Sequence, residues 1–84
     1  METIITVSVG SGKDYNPAKT AMRIAEVVRD SKCECFIARG TKIVTAGSIL
    51  MLMALGIQNG DTVTIKCDDK NCVDKICEIL QNGE

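Results

Sequence analysis

The stretch "GSILMLMALGIQNG", Gly47 to Gly60, decides the fold. Ser48 stands where a helix N-cap belongs, its side-chain oxygen suited to the free backbone N–H groups of a first turn. An unbroken apolar run from Ile49 to Leu55 follows, and Gly56 ends it, because glycine takes the left-handed conformation of a helix terminus without steric cost. Gly60-Asp61 then turns into "TVTIKC", which alternates so that Val63, Ile65 and Cys67 face inward. The run has more apolar residues than one buried stripe holds. Leu52 and Leu55 fit the core, which leaves Ile49, Leu50 and Met53 as candidates for exposure and partner contact. The alternative is that an aromatic-poor core consumes them too.

Upstream, "TIITVSV" (Thr3 to Val9) alternates as a strand, with Ile5, Val7 and Val9 on one face and Thr6 and Ser8 on the other. Gly10-Ser11-Gly12 ends it. Asn16-Pro17 starts a helix: asparagine caps free N–H groups, and proline at the first helical position loses no bond. Ala18, Ala21, Met22, Ala25 and Val28 recur as its apolar stripe, and Asp30-Ser31-Lys32 is its exit. "CECFIA" (Cys33 to Ala38) reads as a second strand with Cys33, Cys35 and Ile37 on one face. Arg39-Gly40-Thr41 turns it into a short strand from Lys42 to Thr45, a hairpin. After Cys67, Asp68 or Asp69 caps a last helix with Cys72, Val73, Ile76, Cys77 and Leu80 at helical spacing, and Gly83 stands where a terminator belongs.

The order is strand, helix, strand, strand, helix, strand, helix. One-sided elements bury themselves as two layers, three helices covering one face of a four-stranded, mainly antiparallel sheet. The other face, with Thr6, Ser8, Glu34, Thr62, Thr64 and Lys66, is expected to be polar and wet. The fold class is therefore α+β, in a single domain over residues 1–84.

At 45% hydrophobic and 25% charged residues the chain is globular rather than disordered. A net charge of −1 gives no electrostatic footprint for nucleic acid or anionic lipid. No apolar run is long enough to span a bilayer, and Met1-Glu2 leads directly into a strand pattern, so no signal peptide is expected. The expected location is the cytoplasm.

Five cysteines, Cys33, Cys35, Cys67, Cys72 and Cys77, include no C-x-x-C pair and have no histidine beside them. On a helix Cys72 and Cys77 diverge by about 140°, poor geometry for joint ligation. The paired short spacings of a thiolate metal site are missing. The expectation is reduced thiols packed as small hydrophobes, with no metal and no cofactor. A metal- or redox-binding module is the alternative.

Two segments carry a family resemblance. Gly12-Lys13-Asp14-Tyr15-Asn16-Pro17-Ala18 lies between the first strand and first helix, and Ser48, Ile49, Met53, Leu55, Gly56 and Gly60 fall at fixed offsets in the second segment. These resemble the G-x-H-A-R-P-A and K-S-I-M-G-V-M-S-L-G segments of the HPr family, the small phosphocarriers of the sugar phosphotransferase system. The match spans nearly the whole chain, with the interval between the segments about three residues longer than usual. It implies an open-faced β-sandwich of β-α-β-β-α-β-α topology, and a protein that is not an enzyme.

The chain departs from the family at its reactive centre. Asp14 stands at the position of the phosphorylated histidine and Asn16 at that of the assisting arginine, and the chain contains no histidine at all. The resemblance therefore implies a member without the phosphohistidine relay. Asp14 serves as a fixed charge near a helix start, or as an acyl-phosphate acceptor, a chemistry normally supported by metal and further acids. Tyr15 is an expected partner contact, while Lys13 reads as a solvated charge. Ser48 matches the serine that, in the Gram-positive branch, HPr kinase/phosphorylase modifies to signal to a transcription regulator; as a plain N-cap it is worth about 1 kcal/mol. Both roles stay open. The implied function is regulation or protein binding through Ser48 with Tyr15, Ile49, Leu50 and Met53. Implied partners are such a kinase, phosphotransferase-system proteins or a transcription regulator.

Overall fold

The computed structural model describes residues 3–10 and 16–82. The elements are β1 (Thr3–Ser8), α1 (Pro17–Ser31), β2 (Cys35–Arg39), β3 (Lys42–Thr45), α2 (Ile49–Leu55), β4 (Thr62–Cys67) and α3 (Lys70–Asn82). The sheet order is β1-β4-β2-β3, and every neighbouring pair is antiparallel. β4 slots between β1 and β2, so those two strands run parallel without touching, joined by α1 as a split β-α-β crossover. This is the open-faced, two-layer arrangement that the alternating strands and one-sided helices require.

The core lies between the helices and the inward face of the sheet. Val7, Ile37, Val63 and Ile65 from the strands meet Ile24, Leu52, Leu55, Ile76 and Leu80 from the helices, and Ala46 and Ile57 plug it from loops. Each fully buried aliphatic side chain contributes about 1.5–3 kcal/mol relative to exposure. Asn16 caps α1 through its Oδ1, which accepts the Lys19 N–H at 3.1 Å. Asp69 caps α3, its Oδ1 taking the Asn71 N–H at 2.9 Å; Gly83 lies outside the described residues.

Three packing expectations are corrected. The buried stripe of α1 is Thr20, Ala21, Ile24, Ala25 and Val28, while Ala18 is exposed and Met22 is 55% exposed. Both phases fit a period of 3.6, and the helix turns its large aliphatic Ile24 inward. Ile5 is partly exposed despite facing the helices, because β1 is a sheet edge. The open face carries exposed Ile4 and Ile43 and half-buried Phe36 among its polar residues.

The cysteines also differ from isolated packed thiols. β2 begins at Cys35, with Cys33 in the connection before it. Cys35 sits directly opposite Cys67 in the β2–β4 register, and the two form a disulfide. Facing positions on adjacent antiparallel strands bring side chains close enough to react, a proximity that depends on strand order rather than on sequence spacing.

Candidate functional site

α2 is anchored at both ends. At its start Ser48 has extended backbone (φ −116°, ψ 118°), and its Oγ accepts the Met51 N–H at 3.2 Å while its carbonyl takes the Leu52 N–H at 3.0 Å. At its end Gly56 adopts φ 76° and donates its N–H to the Met53 carbonyl at 3.1 Å. Arg39, at the end of β2, reaches the Leu55 carbonyl with Nη1 at 3.4 Å and pairs through Nε with Asp61 Oδ2 at 2.8 Å. Asp61 also accepts the Gln58 N–H at 2.8 Å. That backbone hydrogen bond, with Arg39 second, holds the Asp61 carboxyl below its ordinary value of 3.8. A helix too short to be stable alone is thus capped at its start and tied through Arg39 to β2 at its end.

Leu52 and Leu55 face the core. Leu50 is 80% exposed, Met53 48% and Met51 44%. Two of the three expected surface residues are therefore on the outside, while Ile49 is half-buried against the core. Met51 takes its place on the exposed surface. Ile49 and Met51 flank the buried pair, with Leu50 opposite, an arrangement that a helical wheel anchored on Leu52 and Leu55 reproduces.

A groove of about 150 Å³ separates the C-terminal half of α2 from the start of α1, lined by Pro17, Thr20, Ile24, Met53, Gly56 and Ile57 among others. Thr20 Oγ1 is buried there with no hydrogen-bond partner among the described residues. Asn16, at the mouth of α1, spends its Oδ1 on capping. Asp14 and Tyr15 lie outside the described residues, so their placement relative to Ser48 forms no part of this geometry.

Residues 2–82 match the family profile described as the PTS HPr component phosphorylation site. The chain belongs to the HPr family. Members of this family are phosphocarriers of the phosphotransferase system rather than enzymes. No curated protein matches the chain at a significant level. Among solved structures, it is similar to phosphocarrier protein HPr from Bacillus anthracis strain Ames, with a TM-score of 0.82, 20% identity, and coverage of 95% of this chain and 98% of that one. It is also similar to HPr-C-His from Thermoanaerobacter tengcongensis, with a TM-score of 0.69, 20% identity, and coverage of 95% and 90%. At that identity the likeness speaks for the HPr fold. No helix among the described residues is long and apolar enough to cross a membrane.

A second cluster in this HPr-family chain escaped the sequence reasoning. The Sγ atoms of Cys33, Cys35, Cys67 and Cys72 all lie within 4.8 Å of one another. Burial, followed by the neighbouring Cys33 thiol, pushes the Cys72 thiol up to about 12. Burial also raises Cys77, which lies outside the cluster on α3 and is half-buried. The signal was present in pieces, as C-x-C at Cys33-Cys35 and C-x4-C at Cys67–Cys72. Only the β2–β4 pairing joins them.

Proposed function

We propose that this HPr-family chain is a regulatory or protein-binding member of the phosphotransferase system, acting through Ser48 and the outer face of α2 without a phosphohistidine relay. One observation carries the proposal: α2 turns Leu50, Met51 and Met53 outward next to its N-cap Ser48, in a chain that contains no histidine. Aliphatic and methionine side chains exposed side by side form an adaptable docking surface. The hydroxyl of Ser48 accepts one backbone hydrogen bond. Transfer of the γ-phosphoryl group of ATP to Ser48 Oγ, catalysed by an HPr kinase/phosphorylase-like enzyme, sends the hydroxyl proton to the kinase's base and releases ADP. The product places about two negative charges beside the apolar patch. A transcription regulator or another phosphotransferase-system protein reads that change, in the cytoplasm.

Asp14 and Asn16, at the family's histidine and arginine positions, serve as fixed polar residues in this scheme, with Tyr15 as a neighbouring partner contact. The test is incubation with ATP and a bacterial HPr kinase, followed by localisation of phosphate by mass spectrometry. Label at Ser48 that is lost in Ser48→Ala is expected. A hydroxylamine-sensitive phosphate lost in Asp14→Asn would replace this proposal with acyl-phosphate transfer.

A further inference from the structure

Away from α2, four sulfur atoms converge from four places in the chain. Cys35 and Cys67 project from facing positions of β2 and β4, Cys72 from the first turn of α3, and Cys33 from the segment after α1. Cys35, Cys67 and Cys72 are buried, and Cys33 is half-buried. Cys33 Sγ lies 3.5 Å from Cys35 Sγ and 2.6 Å from Cys72 Sγ, and Cys35 Sγ lies 3.6 Å from Cys72 Sγ. The 2.6 Å separation is well inside the ordinary contact distance of about 3.5–4.0 Å even for carbon atoms. Packing as separate hydrophobes does not describe such a group.

The geometry points to a tetrathiolate metal centre: in the reduced chain Cys33, Cys35, Cys67 and Cys72 bind one thiophilic divalent cation, Zn²⁺. Four sulfurs about 2.3 Å from a zinc ion in tetrahedral array stand about 3.8 Å apart. The 3.5 and 3.6 Å separations already lie close to that spacing, whereas the Cys33–Cys72 pair at 2.6 Å must open by over an ångström and the Cys35–Cys67 bond must first be reduced. Among the described residues no oxygen or imidazole ligand belongs to the group, and an all-sulfur set selects zinc over magnesium or calcium. With three ligands buried, the site is the closed kind that stabilises folds rather than catalysing reactions. A polar depression lined by Ser31, Lys32, Cys33, Asp68, Asp69 and Lys70 gives an ion access past Cys33.

The Cys35–Cys67 disulfide and the bound ion are alternative states of the same sulfurs. A phosphine reductant opens the bond: phosphorus takes the oxygen of one water, becoming the phosphine oxide, and the two water protons complete the two thiols. Zinc uptake then releases four protons from four thiols as four Zn–S bonds form. This centre is independent of the role assigned to Ser48.

The test is titration of the phosphine-reduced, metal-stripped chain with Co²⁺, whose sulfur-to-cobalt charge-transfer and tetrahedral d–d bands report its ligands directly. One Co²⁺ per chain with a four-thiolate spectrum, displaced by Zn²⁺, is expected. Cys33→Ser and Cys72→Ser should each weaken binding at least tenfold and shift the bands, while Cys77→Ser behaves as wild type. Far-ultraviolet circular dichroism checks that each variant folds; should a serine variant fail, the wild-type spectrum and the Cys77→Ser control decide alone. Absence of stoichiometric Co²⁺, a spectrum without sulfur charge transfer, loss of binding in folded Cys77→Ser, or undiminished binding in folded Cys33→Ser overturns the assignment.

Discussion

Ser48→Ala, Ser48→Asn and Ser48→Asp together separate capping from modification. Among the described residues the Ser48 Oγ accepts a single hydrogen bond, from the Met51 N–H at 3.2 Å, and alanine removes that cap. Loss of an N-cap costs about 1 kcal/mol. In a domain of this size that lowers the thermal midpoint by about 4–8 °C. Asparagine caps as well as serine, so Ser48→Asn should melt within a degree or two of wild type. Aspartate caps and also places a charge at an N-terminus with no acidic residue in its first turn. That adds about 0.3–1 kcal/mol at low ionic strength. The expected order of midpoints is aspartate at or above serine, serine equal to asparagine, and alanine below. Phosphate acceptance sorts the same variants differently, because none of the three offers the hydroxyl. Thermal and urea melts read the first ranking, and mass spectrometry after kinase treatment reads the second. An alanine variant as stable as wild type would refute the capping geometry. If kinase-treated Ser48→Asn bound and released partners as treated wild type does, modification would have no part in function.

Gly10 has φ 78°, and a Cβ there would displace the end of the Asn59 side chain and come within 3.3 Å of its Cα; the left-handed backbone alone predicts that Gly10→Ala costs about 1–2 kcal/mol, and an unchanged urea midpoint would contradict that conformation. Asp61→Asn removes a carboxylate whose folded value lies below 3.8. The folded state binds its proton less readily than the unfolded chain does, so the contribution is complete above about pH 5 and is lost as pH falls below the unfolded value. The variant should be less stable than wild type at pH 7, with the gap closing in acid, and a gap constant from pH 7 to pH 3 would exclude the linkage. Thr20→Val replaces a buried hydroxyl that has no hydrogen-bond partner among the described residues with a methyl of similar shape, for a gain of about 1 kcal/mol; a loss on urea melting would show that the hydroxyl has a partner in the folded protein.

The element order was legible because each element carries its own period and punctuation. Asn16-Pro17, Ser48, Gly56 and Gly60 mark boundaries through backbone chemistry that acts within a few residues, and all stand at element boundaries or turns. The phase of the α1 stripe was not legible. Ala18 and Met22 satisfy the same period as Thr20 and Ile24, and the choice is made by which side chains fill space above the sheet. Exposure of Leu50 and Met53 followed from having too many apolar residues for one stripe; the exchange of Ile49 for Met51 needed the position of the buried pair. The sulfur cluster was the least legible. Its halves lie far apart in sequence, and meet because β4 pairs with β2 at Cys35 opposite Cys67. Spacing rules see ligands within a turn or a loop, whereas this set is assembled by strand order.

Where the two groups of residues sit follows from the direction of α1. Its first turn borders the groove with Met53, Gly56 and Ile57, and its last turn borders the depression at Cys33 with Asp68 and Asp69. A helix of fifteen residues separates them, about 22 Å at the usual rise. The start of α2 lies nearer the sulfurs, since the Ala46 N–H donates to the Cys35 carbonyl at 2.9 Å two residues before Ser48. That link is between backbone groups, so it persists whatever the Cys35 sulfur binds. The outer face of α2 is held instead by Arg39, Asp61 and Gly56 at its far end. The far end of the apolar surface thus rests on the Arg39 and Asp61 side chains rather than on the sulfurs, with β2 carrying both Arg39 and Cys35.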